Sequence, residues 1–354
     1  MSRHLDVASG GAVSSPRLGL PPFPTGWYVL CFSAELPKGT VRRGTYFGRE
    51  LVLFRGQGGR AAVVDAHCPH MGAHMGHGGT VVGDTLRCPF HGFCFDADGT
   101  CVSTPYPSGR PPRARAEAWP VVERNGAVLT WFDEAGRPPQ WEIPVVDFEG
   151  HGPLQRHIWP RLLSHPQETT ENSVDFGHLG VVHGYQDVTI ESPLETDGPH
   201  LTATYGMSRK NPFLPFLPPI RATFEIHVHG LGYSYVKVRV PAQGMESHHF
   251  VFPTPTDGNA IELRAALAVK VPDPAQVSPA LALLPRAAAI RVIGELALRA
   301  YTHDIEQDFA IWENKRYLQP ASLAEGDGPV GPYRKWCRQF YGASPVPAAA
   351  GGAG

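Results

Sequence analysis

Cys68-Pro69-His70 and Cys88-Pro89-Phe90-His91 place two thiols and two imidazoles in two short segments with 17 residues between His70 and Cys88. The 28 residues from Cys68 to Phe95 hold three Cys and four His, a density that points to metal. Structural zinc also takes Cys and His in sets of four, but its paired ligands usually stand about two to four residues apart, and a Cys-x-His pair does not. A 2Fe-2S cluster with two Cys on one iron and two His on the other accepts both pairs, and its imidazoles raise its potential above that of an all-Cys cluster. The chemistry is electron transfer. Gly72, Gly76, Gly78 and Gly79 let the loop backbone turn tightly around such a group. His67, His74 and His77 fall off the ligand spacing and are expected to hydrogen-bond within the loops. Cys94 and Cys101 are expected to pack as small hydrophobes in strands.

A second constellation follows in Glu171-Asn172-Ser173-Val174-Asp175-Phe176-Gly177-His178-Leu179-Gly180-Val181-Val182-His183. On a regular helix Asp175 and His178 share a face. His178 and His183 would point about 140° apart at roughly 3.6 residues per turn, so sharing one ion requires the helix to distort or end. Gly177, Gly180 and Gly184 permit that. Two His and one carboxylate with open positions form the ligand set of non-haem Fe(II) oxygenases. The carboxylate must come from elsewhere, and "THDIEQDFAIWENK" offers both Asp304 and Asp308 near the end of a long helical stretch. Neighbouring His residues alone are commonly core or surface residues; downstream of a 2Fe-2S pattern they read as iron ligands.

These side chains need elements to hold them. A chain of 354 residues can bury two cores. Its net charge of -2 gives no sign of the concentrated basic surface that nucleic acid or an anionic membrane would need, and favours a small neutral partner. Sparse cysteines and the absence of a signal-like start or a long apolar run predict a soluble, cytoplasmic protein in a reducing compartment. Residues 1–23 and 344–354 are expected to be flexible and to carry no chemistry. Short β-rich runs from Gly26 to about Trp131 predict a small antiparallel domain over 24–140. "RPPQWEIP" then breaks the chain before a second part over 141–343. There, TFEIHVH, YSYVKVRV and IELRAALAVKV predict an antiparallel sheet, while ETTENSVDFGHLGVVHG and residues 285–315 read as helices. The fold class is α+β, without internal repeats.

The Cys-x-His and Cys-x-x-His pairs resemble the Rieske proteins. Respiratory members carry an extra Cys in each loop, forming a disulfide; Ala73 and Phe90 stand there instead, so this centre resembles the lower-potential one of ferredoxins and oxygenases. A Rieske ferredoxin would be complete within the first part. Over roughly residues 24–343 the order of motifs resembles the catalytic subunit of Rieske non-haem iron oxygenases. "FPTGWYVLCFSAEL", "ENSVDFGHLGVVHGY", "DFAIWENKRYLQP" and "DGPVGPYRKWCRQFY" are similar to the branch containing bacterial 3-ketosteroid 9α-hydroxylase oxygenases and animal cholesterol 7-desaturases.

That resemblance implies an all-β Rieske domain followed by a helix-grip-like catalytic domain with an antiparallel sheet flanked by helices. It assigns Cys68, His70, Cys88 and His91 to the 2Fe-2S cluster and His178, His183 and Asp308 to a mononuclear Fe(II). Asp308 is preferred to Asp304 because the family's carboxylate precedes an apolar-Trp pair, as in Asp308-Phe309-Ala310-Ile311-Trp312. Asp175 is implied to bridge electrons to a cluster-ligating His of a neighbouring subunit in a head-to-tail homotrimer; its alternative is a helix cap or plain ion pair. Asn172 is expected to brace the site. Electrons would come from NAD(P)H through a separate ferredoxin reductase-type partner. The substrate would be a steroid or sterol, open to hydroxylation, desaturation or oxidative demethylation; another bulky apolar or aromatic compound is the alternative. A pure electron carrier would keep the cluster without the second iron. In "NPFLPFLPPI", Phe213, Leu214, Phe216 and Leu217 read either as a pocket mouth or as a loop packed on the sheet.

Overall fold

Short apolar runs cut by Gly, Asn and Asp cannot extend far before a turn, and the first part of the chain folds accordingly into short antiparallel strands. The computed structural model describes residues 17–109, 113–210, 218–324 and 326–342. The strands are β1 (Gly26–Phe32), β2 (Val41–Tyr46), β3 (Arg49–Arg55), β4 (Ala61–Asp65), β5 (Thr80–Val82), β6 (Thr85–Arg87), β7 (Cys94–Phe95), β8 (Cys101–Ser103), β9 (Ala118–Trp119), β10 (Val121–Arg124) and β11 (Ala127–Phe132). They form three small sheets, ordered β1-β11-β10, β2-β3-β4-β9 and β5-β6-β7-β8. β1 is buried along its whole length, which is why GWYVLCF runs apolar without alternating.

The second part is built on a seven-stranded antiparallel sheet of β12 (Gln155–Leu162), β13 (Gln186–Asp197), β14 (His200–Arg209), β15 (Ile220–His229), β16 (Ser234–Val240), β17 (Met245–Pro255) and β18 (Ile261–Lys270), in the order β12-β18-β17-β16-β15-β14-β13. The expected runs in β15, β16 and β18 are present. β13 and β12 escape a reading by pattern because they are edge strands without clean apolar alternation, β13 being largely exposed and β12 mostly half-buried with Pro160 inside it.

Both expected helices are interrupted. The first becomes α1 (Pro166–Glu171) and α2 (Gly177–Val182); α3 (Pro274–Val277) precedes the second, which becomes α4 (Arg286–Gln307) and α5 (Phe309–Asn314), and α6 (Val330–Cys337) follows. α1 starts where the His165 ring accepts from the Gln167 N–H at 3.1 Å, with Pro at its first turn. Asn172 and Asp308 occupy the breaks, so the candidate site residues sit at helix ends instead of mid-helix.

The two parts share a core. Trp27, Val29 and Leu129 pack with Tyr233, Phe250 and Phe252, and Thr254 Oγ1 donates to the Val29 carbonyl at 2.7 Å. Among the described residues no helix is long and apolar enough to cross a membrane. Phe213, Leu214, Phe216 and Leu217, and the two termini expected to be flexible, lie outside the described residues apart from the stretch from Arg17.

Candidate functional site

The loops after β4 and β6 have the same construction. Cys68 N–H donates to the Ala73 carbonyl at 2.9 Å and Cys88 N–H to the Phe93 carbonyl at 2.8 Å, while Gly72 and Gly92 N–H groups return to the Cys68 and Cys88 carbonyls at 2.9 and 3.1 Å. Gly72 and Gly92 sit at φ +76° and +70°, the left-handed region that a side chain would strain. Cys68 and Cys88 are buried without a disulfide, and the His70 and His91 rings lie 4.7 Å apart at the half-exposed loop tips. Burial pushes the Cys68 thiol up to about 11, aided by neighbouring Cys88, so a thiolate there calls for a metal. His67 and His74 face Glu50, each at 3.7 Å, and His74 accepts from the Gly76 N–H at 3.0 Å, as expected of loop residues outside the ligand set. Cys94 and Cys101 are buried in β7 and β8.

In the second part, α2 ends at His183, and Gly184 at φ +70° turns the chain away. This premature end brings His178 and His183 together, their ring centroids 5.1 Å apart. Asp308, only 5% exposed at the α4–α5 break, places Oδ2 3.5 Å from His183 Nε2. One ligand atom from each of the three lies within 4.8 Å of the others, a spacing that a single first-row ion with bonds of about 2.0–2.2 Å can draw together. Among the described residues Cys68, His70, Cys88 and His91 do not converge in this way.

Each of these side chains is braced. Asn172 Nδ2 donates to Asp308 Oδ2 at 2.8 Å, and His183 Nδ1 lies 2.9 Å from Gln307 Oε1. Gln307 occupies Nδ1 and so directs Nε2, the nitrogen left to ligate a metal, toward Asp308. Burial alone would depress the His183 imidazole, but hydrogen bonds to Asp308 and Gln307 and the Asp308 charge outweigh it and hold it above the usual range. Asp175 Oδ1 accepts from the His178 backbone N–H at 3.3 Å and lies 3.6 Å from His178 Nδ1, a buried ring nitrogen without a hydrogen bond. Asp304 is turned elsewhere, to Arg209 and the Tyr185 hydroxyl. The structure thus gathers Asp308, and not Asp304, with the two His.

The triad opens onto a cavity of about 800 Å³. Its sheet wall follows the two-residue period of a strand: Ala222, Phe224 and Ile226 of β15, Val236 and Val238 of β16, and Ser247, His249 and Val251 of β17. Ile293, Ala297 and Ala300 of α4 close the other side. The alternate sheet residues Tyr235, Phe250 and Phe252 face the shared core.

Sequence reasoning missed Gln307, Arg209 and Tyr185, which carry no motif of their own, and an anchor at α6. Tyr333 hydroxyl donates to the Gln167 carbonyl at 2.7 Å, and Arg334 grips buried Glu171 through Nε and Nη2 at 2.6 and 2.7 Å. These contacts fix α1 and hence Asn172. The Arg334→Ala variant removes both short contacts and leaves the buried Glu171 carboxylate only Lys315 Nζ at 3.8 Å, and is expected to cost about 3 kcal/mol of stability. Urea unfolding would measure it; a loss under about 1 kcal/mol would show the pair to be peripheral.

Among solved structures, a Pseudomonas putida CBB5 NdmA mutant with caffeine superposes with a TM-score of 0.67 at 20% identity, covering 88% of this chain and 89% of that one. Dicamba monooxygenase bound to dicamba gives 0.61 at 19% identity, covering 89% and 96%. The Rieske [2Fe-2S] domain family matches residues 26–120, and the 3-ketosteroid 9alpha-hydroxylase C-terminal domain family matches residues 130–341. Fold and domain order thus define a Rieske-type oxygenase. A cholesterol 7-desaturase of Caenorhabditis elegans is 30% identical across 92% of this chain and 79% of its own length. A 3-ketosteroid-9-alpha-monooxygenase oxygenase component of Rhodococcus rhodochrous is 27% identical across 90% and 84%. The chain belongs to the 3-ketosteroid 9α-hydroxylase family of Rieske non-haem iron oxygenases, whose cofactors are a 2Fe-2S cluster and a mononuclear iron and whose electrons come from a separate reductase.

Proposed function

We propose that this chain oxidises an unactivated C–H bond of a steroid or sterol, with Cys68, His70, Cys88 and His91 holding the cluster and His178, His183 and Asp308 holding the catalytic iron. One observation carries this reading: an apolar cavity of about 800 Å³, the size class of small-molecule pockets, has that triad in its wall. When bound, the iron supplies O2 activation at the expense of electrons delivered through the cluster. The chain's own residues supply position and dryness. Gln307 and Asn172 orient His183 and Asp308, and Asp175 steadies the backbone at His178. Valines, Phe224 and Ile226 exclude water and match an apolar ring system. Two polar stations could recognise its oxygen substituents: the Arg209–Asp304–Tyr185 group, and Ser247 with His249, whose ring burial pushes down to about 3 and keeps neutral.

The proposal extends to the assembly. Electrons cross from the cluster of one subunit to the iron of its neighbour through Asp175 in a head-to-tail homotrimer, and the working division lies between residues 24–140 and 141–343. The Asp175 carboxylate, 3.6 Å from His178 Nδ1 and partly exposed at the edge of the triad, supports that role.

The test is single-turnover reaction of reduced protein with O2 and a panel of sterols, ketosteroids and unrelated aromatics, following cluster oxidation and product mass. A steroid or sterol should gain oxygen or lose hydrogen. Turnover of an unrelated aromatic with no reaction of any steroid would overturn the substrate assignment.

A further inference from the structure

The sheet that walls the cavity has a second face, and there the chain brings together another set of donors. His248 and Glu246, two residues apart on β17, point away from the cavity that Ser247 and His249 line. His151, in the connection between β11 and β12, meets them: its ring lies 4.5 Å from that of His248, and one ligand atom from each of His151, Glu246 and His248 falls within 4.8 Å of the other two. We propose that these three residues bind a divalent transition-metal ion of the zinc type, separate from both iron centres.

The state of the rings supports this. His151 Nδ1 and Nε2 and His248 Nδ1 are all shielded from solvent without a hydrogen-bond partner. Leaving such nitrogens unsatisfied is costly, and a shared cation would satisfy one on each ring. Burial lowers both imidazoles, His248 to about 4, so both are neutral with free lone pairs at neutral pH. Phe148 packs against both rings, supplying the apolar shell that limits competition from water.

The donor set decides the class of ion. Two imidazoles and one carboxylate suit Zn, Ni or Cu, whereas Mg and Ca favour all-oxygen sites. Glu246 Oε2 also meets Arg239 Nε at 3.3 Å, which holds the carboxylate in place and leaves its other oxygen available. The turn that carries His151 is already fixed by its N–H to the Phe148 carbonyl at 3.0 Å and by Gly152 N–H to the Val269 carbonyl at 2.8 Å. A bound ion would therefore staple the connection between the two parts to the middle of the large sheet. None of the three residues touches the cavity, so the role is structural and independent of the reading of the active site.

The experiment titrates iron-loaded protein with Zn(II), with metal content determined after desalting and the unfolding midpoint followed alongside. Wild-type protein should retain a single added zinc ion without losing iron, and its midpoint should rise. His151→Gln and Glu246→Gln, both at residues that are not fully buried, should each weaken zinc binding by about tenfold or more and remove the rise. No zinc uptake by wild type, uptake matched by loss of iron, or equal uptake by wild type and both variants would each overturn the proposal.

Discussion

His178→Ala is expected to abolish product while leaving the visible absorption and the reduced-state spin signal of the 2Fe-2S cluster unchanged. His178 lies in the second part, on α2, whereas Cys68, His70, Cys88 and His91 lie on the loops after β4 and β6, and among the described residues no hydrogen bond joins the two groups. Removing one of the three proposed ligands leaves His183 and Asp308, too few to hold a catalytic ion in a fixed open geometry. Turnover should fall by more than about a thousandfold, equivalent to roughly 4 kcal/mol of transition-state stabilisation. Product mass after single turnover measures the loss, and absorption of the oxidised protein monitors the cluster. Bleaching of the cluster would show the division between the two metal sites to be wrong; retained turnover would remove His178 from the catalytic set.

Asp175→Asn separates two roles that the geometry combines. The substitution keeps an oxygen able to accept the His178 N–H, now made by Asp175 Oδ1 at 3.3 Å, but removes the charge beside the ring. If Asp175 carries electrons between subunits, iron content and folding should be retained while cluster re-oxidation in the presence of substrate and O2 slows by about a hundredfold, the scale of a small misplacement in a catalytic path. A cap alone predicts a change within about twofold in rate and a stability loss of about 1 kcal/mol or less. Stopped-flow observation of the cluster band distinguishes the two, and an unchanged rate would end the electron-bridge assignment.

The same residues show what kind of information each level carries. The Cys-x-His and Cys-x-x-His pairs were legible because loop ligands lie close in sequence, and two matching loops need only local turns at Gly72 and Gly92. The convergence of His178 and His183 was legible only as a condition, that the helix must end; α2 ends there because Gly184 adopts a positive φ after His183. The sequence left Asp304 and Asp308 as equal neighbours until family resemblance preferred one. Four residues along one helical stretch differ by about a turn, and the two carboxylates acquire separate fates from partners far away in the chain: Arg209 and Tyr185 for Asp304, Asn172 and His183 for Asp308.

Edge strand β13 was invisible because exposure removes the apolar pattern that periodicity relies on, β12 because its half-buried residues do not alternate, and Gln307 and Arg334 because a supporting hydrogen bond leaves no spacing rule behind. Sequence by itself marked the two clusters of donor-type side chains, the α+β class and the order of the parts, since all of these are encoded in residue type and short-range spacing. Tertiary structure decided how Asp304 and Asp308 part company, how large the cavity is and which apolar side chains wall it, and that His151 meets Glu246 and His248 across a strand connection. Those outcomes depend on which distant backbone segments pack together, a long-range property that no local pattern records.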